Sequence, residues 1–304
     1  MIFRWMGICI LGVLSANAFA AGKLATGNGR ILATGAVTTI DGTAGGGIVP
    51  MAILAGYGTN EQHGGVVSAS RLNTDDFALN GFAAAWSWHN RVEFSVARQT
   101  LDAGIFKIPD VEELRTNNYG VKARLFGDVL YSTVPQVSIG AMYRESINRD
   151  IAALGGATVP EALGAKSNYG ADYYLAATKV FIGGPFGRNW LVNGVVRSTR
   201  ANQGGLLGFG GDLDEERSTV AEGSIGVFLN KHWLIGGEYR EQPENLTFLH
   251  QDDWKDLFIA WFPNKQWSIT AALVDLGEVS TAAVPYENDD RDQRGAYLSI
   301  TGAF

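Results

Sequence analysis

The sequence predicts an all-β protein folded as a single antiparallel β-barrel that spans a membrane. Three observations carry this. Segments of about ten residues alternate apolar and polar side chains, the length a tilted strand needs to cross a bilayer. Short and long connections between these segments take turns along the chain. The final segment ends on an aromatic residue, Phe304.

Composition narrows the class. The chain has 304 residues, 46% of them apolar and 18% charged. So apolar a chain is not disordered. Its 39 glycines have no three-residue period, which excludes collagen. A net charge of −7 with no basic cluster argues against a nucleic-acid partner. The single cysteine, Cys9, excludes an internal disulfide and a cysteine-based zinc site.

Residues 1–20 read as a signal peptide. Arg4 supplies the basic start, Gly7 to Leu14 the apolar stretch, and Ala18, Phe19 and Ala20 the cleavage pattern, with cleavage expected after Ala20. Ile8 stands before Cys9 where lipidation needs a small residue. Removing the segment removes Arg4 and Cys9, leaving a thiol-free chain of charge −8. Such a chain suits the oxidising envelope of a Gram-negative bacterium, and the expected location is its outer membrane.

Residues 21–64 form a Gly-rich segment, either a piece folded into the lumen or the first two strands (30–40 and 48–57). Its run Gly42–Gly47 lacks the Lys-Ser/Thr of a phosphate loop and the acidic partner of a dinucleotide site. It reads as a tight bend or a lumenal segment.

The barrel itself is expected over 65–304. Strands are placed at 65–72, 77–88, 91–101, 117–126, 135–144, 169–181, 190–200, 219–229, 232–241, 254–262, 266–276 and 294–304. That makes twelve; the two weaker candidates before residue 60 would make fourteen. Either even count leaves the N-terminus in the periplasm. Val92, Phe94 and Val96 alternate with Glu93 and Ser95; Val121 and Ala123 with Lys122 and Arg124; Ile235, Gly237 and Tyr239 with Gly236, Glu238 and Arg240. The turns at Asn90, at Asn230 and Lys231, and at 263–265 are short. Long polar loops fall near 101–116, 145–168, 200–218, 242–253 and 277–293. Outer-membrane barrels sort connections in this way, with short periplasmic turns and long extracellular loops.

Six tryptophans flank the short-turn side: Trp86, Trp88, Trp190, Trp233, Trp261 and Trp267. Their strand ends would meet in an aromatic girdle at the membrane interface. The last strand resembles the outer-membrane assembly signal, with Gln293, Gly295, Leu298, Ile300 and Phe304 in its positions.

Three stretches carry a family resemblance. They are Gly45, Gly46, Gly47, Ile48, Val49 and Pro50 continuing to Ala55, Gly56, Tyr57, Gly58 and Thr59; Asn73, Thr74, Asp75 and Asp76; and the run from Arg91 to Gln99. Together they resemble the proteobacterial domain-of-unknown-function family 3034 of outer-membrane barrels, over most of the chain beyond residue 20. The resemblance implies location and fold. It implies no activity and no functional residues.

Charges on a lipid-facing strand surface cost roughly 2–4 kcal/mol near the midplane, so alternation sends them inward. The candidate pore-lining set is Glu93, Lys122, Arg124, Arg144, Arg197, Glu222, Glu238, Arg240 and Asp256. Such a lumen is either a salt-bridged plug or a charged constriction that selects solutes. Lys122, Arg124, Arg144 and Arg240 are expected to face Glu93, Glu222 and Glu238. The leading functional expectation is a passive channel or narrow porin for small solutes. The alternative is a structural or envelope-interaction barrel with a plugged lumen.

An enzyme is the third reading. The chain has no Gly-x-Ser-x-Gly elbow and no His-Glu-x-x-His helix. His250 near Asp252 and Asp253 is the one constellation that could serve a rim hydrolase, and no catalytic residue is assigned. The acidic loop clusters Asp212, Asp214, Glu215, Glu216 and Glu287, Asp289, Asp290, Asp292 match no EF-hand spacing and read as solvated faces. No cofactor and no metal are expected. Expected partners are outer-membrane lipid and lipopolysaccharide, the barrel assembly machinery during biogenesis, and small solutes.

Overall fold

A computed structural model describes residues 23–24, 29–35, 37–102, 111–148, 155–247, 251–278 and 292–304. The expected signal peptide lies outside the described residues, as do His250, Glu287, Asp289 and Asp290. The strands are β1 (Lys23–Leu24), β2 (Gln62–Thr74), β3 (Ala78–Trp88), β4 (Val92–Asp102), β5 (Glu113–Phe126), β6 (Gln136–Ser146), β7 (Tyr169–Phe181), β8 (Asn189–Thr199), β9 (Ser218–Asn230), β10 (Trp233–Arg240), β11 (Trp254–Trp261), β12 (Trp267–Glu278) and β13 (Asp292–Ala303). From β2 to β13 each strand pairs antiparallel with the next. β13 then pairs back onto β2, from Gly295 opposite Thr74 to Ala303 opposite Val66. Twelve strands therefore close into a barrel with no free edge between them. β1 adds only a parallel pairing at the base of β2, opposite Gln62 and His63.

The fourteen-strand alternative is corrected. Residues 30–40 and 48–57 form no strands; they hold only turns, bends and the isolated bridges Thr38–Ala44 and Gly45–Pro50. Gly42, Gly45, Gly46 and Gly47 make extended pairing entropically expensive there, and Pro50 has no N–H for a ladder.

At the end where β3 turns into β4, the connections span 89–91, 127–135, 182–188, 231–232 and 262–266. At the opposite end they span 75–77, 103–112, 147–168, 200–217, 241–253 and 279–291. The 75–77 turn is short although it shares an end with the long ones. The β3–β4 turn places His89 and Asn90 at φ 51° and 49°, the paired left-handed conformation that matches hairpin twist.

Alternation divides each strand between two environments. Val67, Phe82, Phe94, Val96, Val121, Ile139, Val196, Ile225, Leu257 and Leu273 are exposed on the outer surface. An apolar belt of this extent suits lipid and not water. Among the described residues no helix is long and apolar enough to cross a membrane, so the crossing is made by strands. The inner face is tightly occupied, and its polar side chains are buried.

The closing seam depends on the last strand. Gln293 is buried; its side-chain oxygen accepts from the Thr74 hydroxyl at 2.9 Å and from Asp76 N–H at 3.1 Å. At Gly295 a Cβ would stand 1.9 Å from the Asn73 carbonyl oxygen, so only glycine permits this pairing distance. Leu298 and Ile300 face outward. Phe304 donates its N–H to Gly65 O at 3.0 Å, and its own oxygen accepts from Gly65 N–H at 3.1 Å and Tyr57 N–H at 2.9 Å. Deleting Phe304 is expected to lower the heat-modifiable, folded protein recovered in outer-membrane fractions severalfold. Unchanged recovery would contradict the role given to this residue.

Candidate functional site

Residues 38–57 cross the barrel interior as an irregular strand of backbone. They have almost no secondary structure, and internal bonds such as Thr39 N–H to Thr43 O at 2.8 Å and Ile40 N–H to Gly47 O at 2.9 Å pair only some of their backbone, so other buried N–H and C=O groups need partners elsewhere. The wall supplies them. Glu93, on β4, accepts from Ala44 N–H at 3.0 Å, Ala55 N–H at 2.8 Å and the Thr43 hydroxyl at 2.7 Å. Its register partner Lys122, on β5, lies 3.3 Å away and donates to the carbonyls of Ala44, Met51 and Ile53 at 2.8, 3.1 and 2.8 Å. Both side chains are 1% exposed, so this pair has left water completely.

More wall residues repeat the arrangement. The Gln136 amide and the Ser138 hydroxyl both donate to Ala52 O at 2.6 Å, and Ala52 N–H donates to Thr178 at 2.7 Å. The Asn193 amide reaches Pro50 O at 3.0 Å, and the Ser87 hydroxyl reaches Ala55 O at 2.6 Å. Glu238 accepts from Ile48 N–H at 2.8 Å, while Arg240 donates to Ile48 O at 3.2 Å. Gly46 lets the backbone approach the Glu238 carboxylate closely, since a Cβ would stand 1.8 Å from it and displace that side chain.

Above this layer, three guanidinium groups meet three carboxylates. Arg144 pairs with Asp41 of the plug at 2.7 Å and with Asp172. Arg197 pairs with Glu222 and lies 3.6 Å from Asp172. Arg240 lies 3.8 Å from Asp41 and 3.7 Å from Glu222. Formal charge balances within the cluster, which offsets part of the large cost of burying each ion. Arg197 also stands over the Tyr174 ring, and Arg240 over the Trp254 ring, at 5.2 and 5.3 Å.

Glu238 and Asp256 are directly opposed on β10 and β11. Neither joins an ion pair among the described residues. Asp256 Oδ1 is buried without a hydrogen-bond partner.

The charges expected to meet do so unequally. Glu93 meets Lys122, and Glu222 meets Arg197 and Arg240. Arg144 departs from the expectation by pairing with Asp41 and Asp172, and Glu238 by joining no ion pair among the described residues. Arg124 departs as well. It points inward but sits at the short-turn end, bonded to Gly127 O and 3.5 Å from Asp128, away from Glu93, Glu222 and Glu238. The partners that sequence reasoning missed are Asp41 and Asp172. Asp41 stands in a segment without periodicity, and Asp172 in a stretch where neighbouring tyrosines obscure the alternation. Lys179 lies on the outer face and donates to Asp128 O and Leu130 O, each at 3.3 Å.

A second obstruction comes from the opposite end. The 200–217 connection bends inward, burying Asn202, Gln203, Leu206, Leu207 and Phe209. Gln203 N–H donates to the Gln251 side chain at 2.7 Å, and Asn245 donates to the Asn202 side chain at 2.9 Å. Its apolar residues Leu206, Leu207 and Phe209 are the signal in the sequence that marks this loop as buried.

Two chambers flank residues 38–57. The one toward the short turns has a volume of about 340 Å³. The other, about 60 Å³, lies under the 200–217 cap and is lined by Leu72, Phe77, Trp254, Asp256 and Tyr297.

The six girdle tryptophans lie at the short-turn end. Trp86, Trp88, Trp261 and Trp267 are exposed, and Trp190 and Trp233 are half-buried. Trp233 and Trp261 stack at 5.7 Å. Trp254 is instead at the other end and inside. A row of tyrosines, Tyr119, Tyr143 and Tyr169, runs outside at that end with centroids 6.4 and 6.3 Å apart.

Of the residues weighed for a rim hydrolase, Asp253 accepts from the Tyr239 hydroxyl at 2.5 Å and from Gln242 N–H at 3.0 Å. Asp252 accepts from Glu278 N–H at 2.8 Å. Among the described residues no group of three His, Cys, Asp or Glu side chains could hold a metal ion. In the first acidic loop cluster, Glu215 pairs with Lys166 at 2.8 Å and Asp212 accepts from Thr247 N–H at 3.0 Å.

The sequence model of a family described as protein of unknown function, DUF3034, matches residues 34–301. No curated protein matches the chain. Among solved structures, the KdgM porin is similar at 10% identity and a TM-score of 0.48, covering 79% of this chain and 99% of that one. The outer membrane protein Omp33 of Acinetobacter baumannii is similar at 11% identity and a TM-score of 0.44, covering 80% and 98%. The COG4313 outer membrane channel of Pseudomonas putida F1 is similar at 14% identity and a TM-score of 0.39, covering 80% and 95%.

The two ion pairs at Lys122 and Arg124 differ in burial, and their variants should differ accordingly. Lys122→Met leaves Glu93 and three buried carbonyls short of a partner, an expected loss of about 3–5 kcal/mol. Arg124→Ala breaks a partly exposed pair, an expected loss of about 1 kcal/mol or less. Denaturant unfolding in lipid vesicles, followed by tryptophan fluorescence, measures both. Equal losses would contradict the placement of Lys122 at the centre of the plug contacts.

Proposed function

The chain belongs to the DUF3034 family, and from that premise and the filled lumen we propose that it is an outer-membrane channel for small solutes held closed by its own N-terminal segment. The observation that carries the reading is the position of residues 38–57 between two chambers, bound to the wall through polar contacts. Hydrogen bonds and ion pairs can be exchanged for water when a segment shifts. The apolar side chains of Ile40, Ile48, Val49, Met51 and Ile53, buried in the same clusters as wall residues, oppose the shift, because their separation exposes apolar surface. The wall residues Glu93, Lys122, Arg144, Arg197, Glu222, Glu238, Arg240 and Asp256 would line the path once the plug moves, and would then act on the charge of a passing solute.

The second reading is a barrel sealed for structural or envelope-interaction purposes. The density of plug contacts favours it, since every layer of the wall from Gln136 to Arg240 contributes a bond. On both readings the protein resides in the outer membrane of a Gram-negative bacterium, exported by a cleaved signal peptide and folded by the barrel assembly machinery. Its neighbours there are lipid and lipopolysaccharide. Arg71, Arg98 and Arg115 are exposed on strands β2, β4 and β5 toward the long-loop end, where lipopolysaccharide phosphates would meet them.

Planar-bilayer recording separates the readings. The wild-type protein should be silent at low voltage with occasional openings. A variant lacking residues 38–57, with 202–208 replaced by a short Gly-Ser linker, should conduct steadily. Silence from that variant, once its folding is shown by heat modifiability, would overturn the channel reading.

A further inference from the structure

The chamber of about 340 Å³ at the short-turn end plays no part in closing the lumen. We propose that it is a binding site for a small anionic amphiphile, an apolar tail bearing one acidic head group. Small-molecule sites typically run from roughly 300 to 1,000 Å³ and are mostly apolar with a few polar groups that fix orientation, and this chamber has both properties. Ile31, Met51, Ile53, Leu234, Phe258 and Phe262 are among its apolar walls. Arg188 and Lys231, from the 182–188 and 231–232 turns, stand among its lining residues beside Asn189 and Asn230. Among the described residues no aspartate or glutamate lines it.

The arrangement sorts ligands by two criteria. Burial of the tail removes apolar surface from water, which drives entry. Two cations and no anion favour a carboxylate or sulfonate head and disfavour an ammonium one. Arg188 is already held to the Leu229 carbonyl, which positions its guanidinium without neutralising it. Lys231 is exposed.

The strands β8 and β9, which carry Asn189, Leu191 and Asn230, contribute one wall of the chamber, and residues 31–34 and 37 contribute another. The floor of the chamber includes Gly45, Gly46, Gly47, Met51 and Ile53, so an occupant touches the plug. On the channel reading, and resting on it, the amphiphile would also be the transported class.

The test measures binding, so it is independent of conductance. Octanoate, octan-1-ol and octyltrimethylammonium are titrated calorimetrically into the full-length protein in lipid nanodiscs, with empty nanodiscs as blank. Octanoate should bind saturably at one site, and the ammonium about tenfold more weakly or not at all. The double variant Arg188→Glu with Lys231→Glu should weaken octanoate about tenfold while leaving octan-1-ol unchanged. Leu234→Trp, which fills the chamber, should remove both ligands. Added salt should weaken octanoate alone in the wild-type protein, a readout that needs no variant to fold. Absence of saturable binding above the blank, or octanoate binding indifferent to salt, to charge reversal and to filling, would overturn the proposal. A silent channel that still binds octanoate would leave it standing.

Discussion

At the depth of the bilayer midplane a barrel of twelve strands has its charges inside, and the Glu93–Lys122 pair is where that constraint is most fully resolved. Each ion is enclosed at 1% exposure. Each spends its remaining hydrogen-bonding capacity on the backbone of the segment that fills the lumen. The carboxylate takes amide hydrogens, the ammonium gives to carbonyls, and the pair clamps both the entering and the returning part of the 38–57 segment. A buried pair with nothing more to bond would be weak evidence for stability. This one is surrounded by partners, with three hydrogen bonds to the carboxylate and three from the ammonium to the plug.

That dependence runs both ways. The plug has few backbone hydrogen bonds of its own, so the amides of Ala44, Ile48, Ala52 and Ala55 are paired only while the wall holds them. The wall in turn has Glu238 and the Arg144–Arg197–Arg240 cluster facing inward, and Asp41 of the plug helps to balance the latter. Partial withdrawal would strand several buried polar groups at once, each costly to leave unpaired. A segment bound in this manner moves as a unit or not at all. The cap formed by 200–217 closes the other end by different means, burying Leu206, Leu207 and Phe209 above the charge cluster.

The strands were legible because lipid and lumen impose opposite demands on successive residues. Val121 and Lys122 are a clear example, and twelve such segments place the barrel within a few residues throughout. The inner face follows from the same alternation, but the partners do not. Asp41 lies in a Gly-rich run with no period, and Asp172 is masked by tyrosines on either side. Arg124 has the correct parity and the wrong height, since parity assigns a face and says nothing of depth along the barrel. The inward bend of 200–217 was signalled by Leu206, Leu207 and Phe209 but hidden at its polar positions. Its buried polar residues, Asn202 and Gln203, look like those of any exposed loop until the bonds to Asn245 and Gln251 are in place. Fourteen strands remained open at the level of sequence because Ile48 to Tyr57 is apolar enough for a strand. The lumen accepts such a segment equally well.

Amide hydrogen exchange of the folded protein in lipid is the most direct test of the claim that the wall holds the plug. The backbone of Ala44, Ile48, Ala52 and Ala55 should be protected to a degree comparable with the barrel strands, although no regular secondary structure covers it. Exchange at these amides as fast as in the outer loops, with the strands still protected, would mean that the segment is not held, and the account of a lumen closed by Glu93, Lys122 and their neighbours would fail.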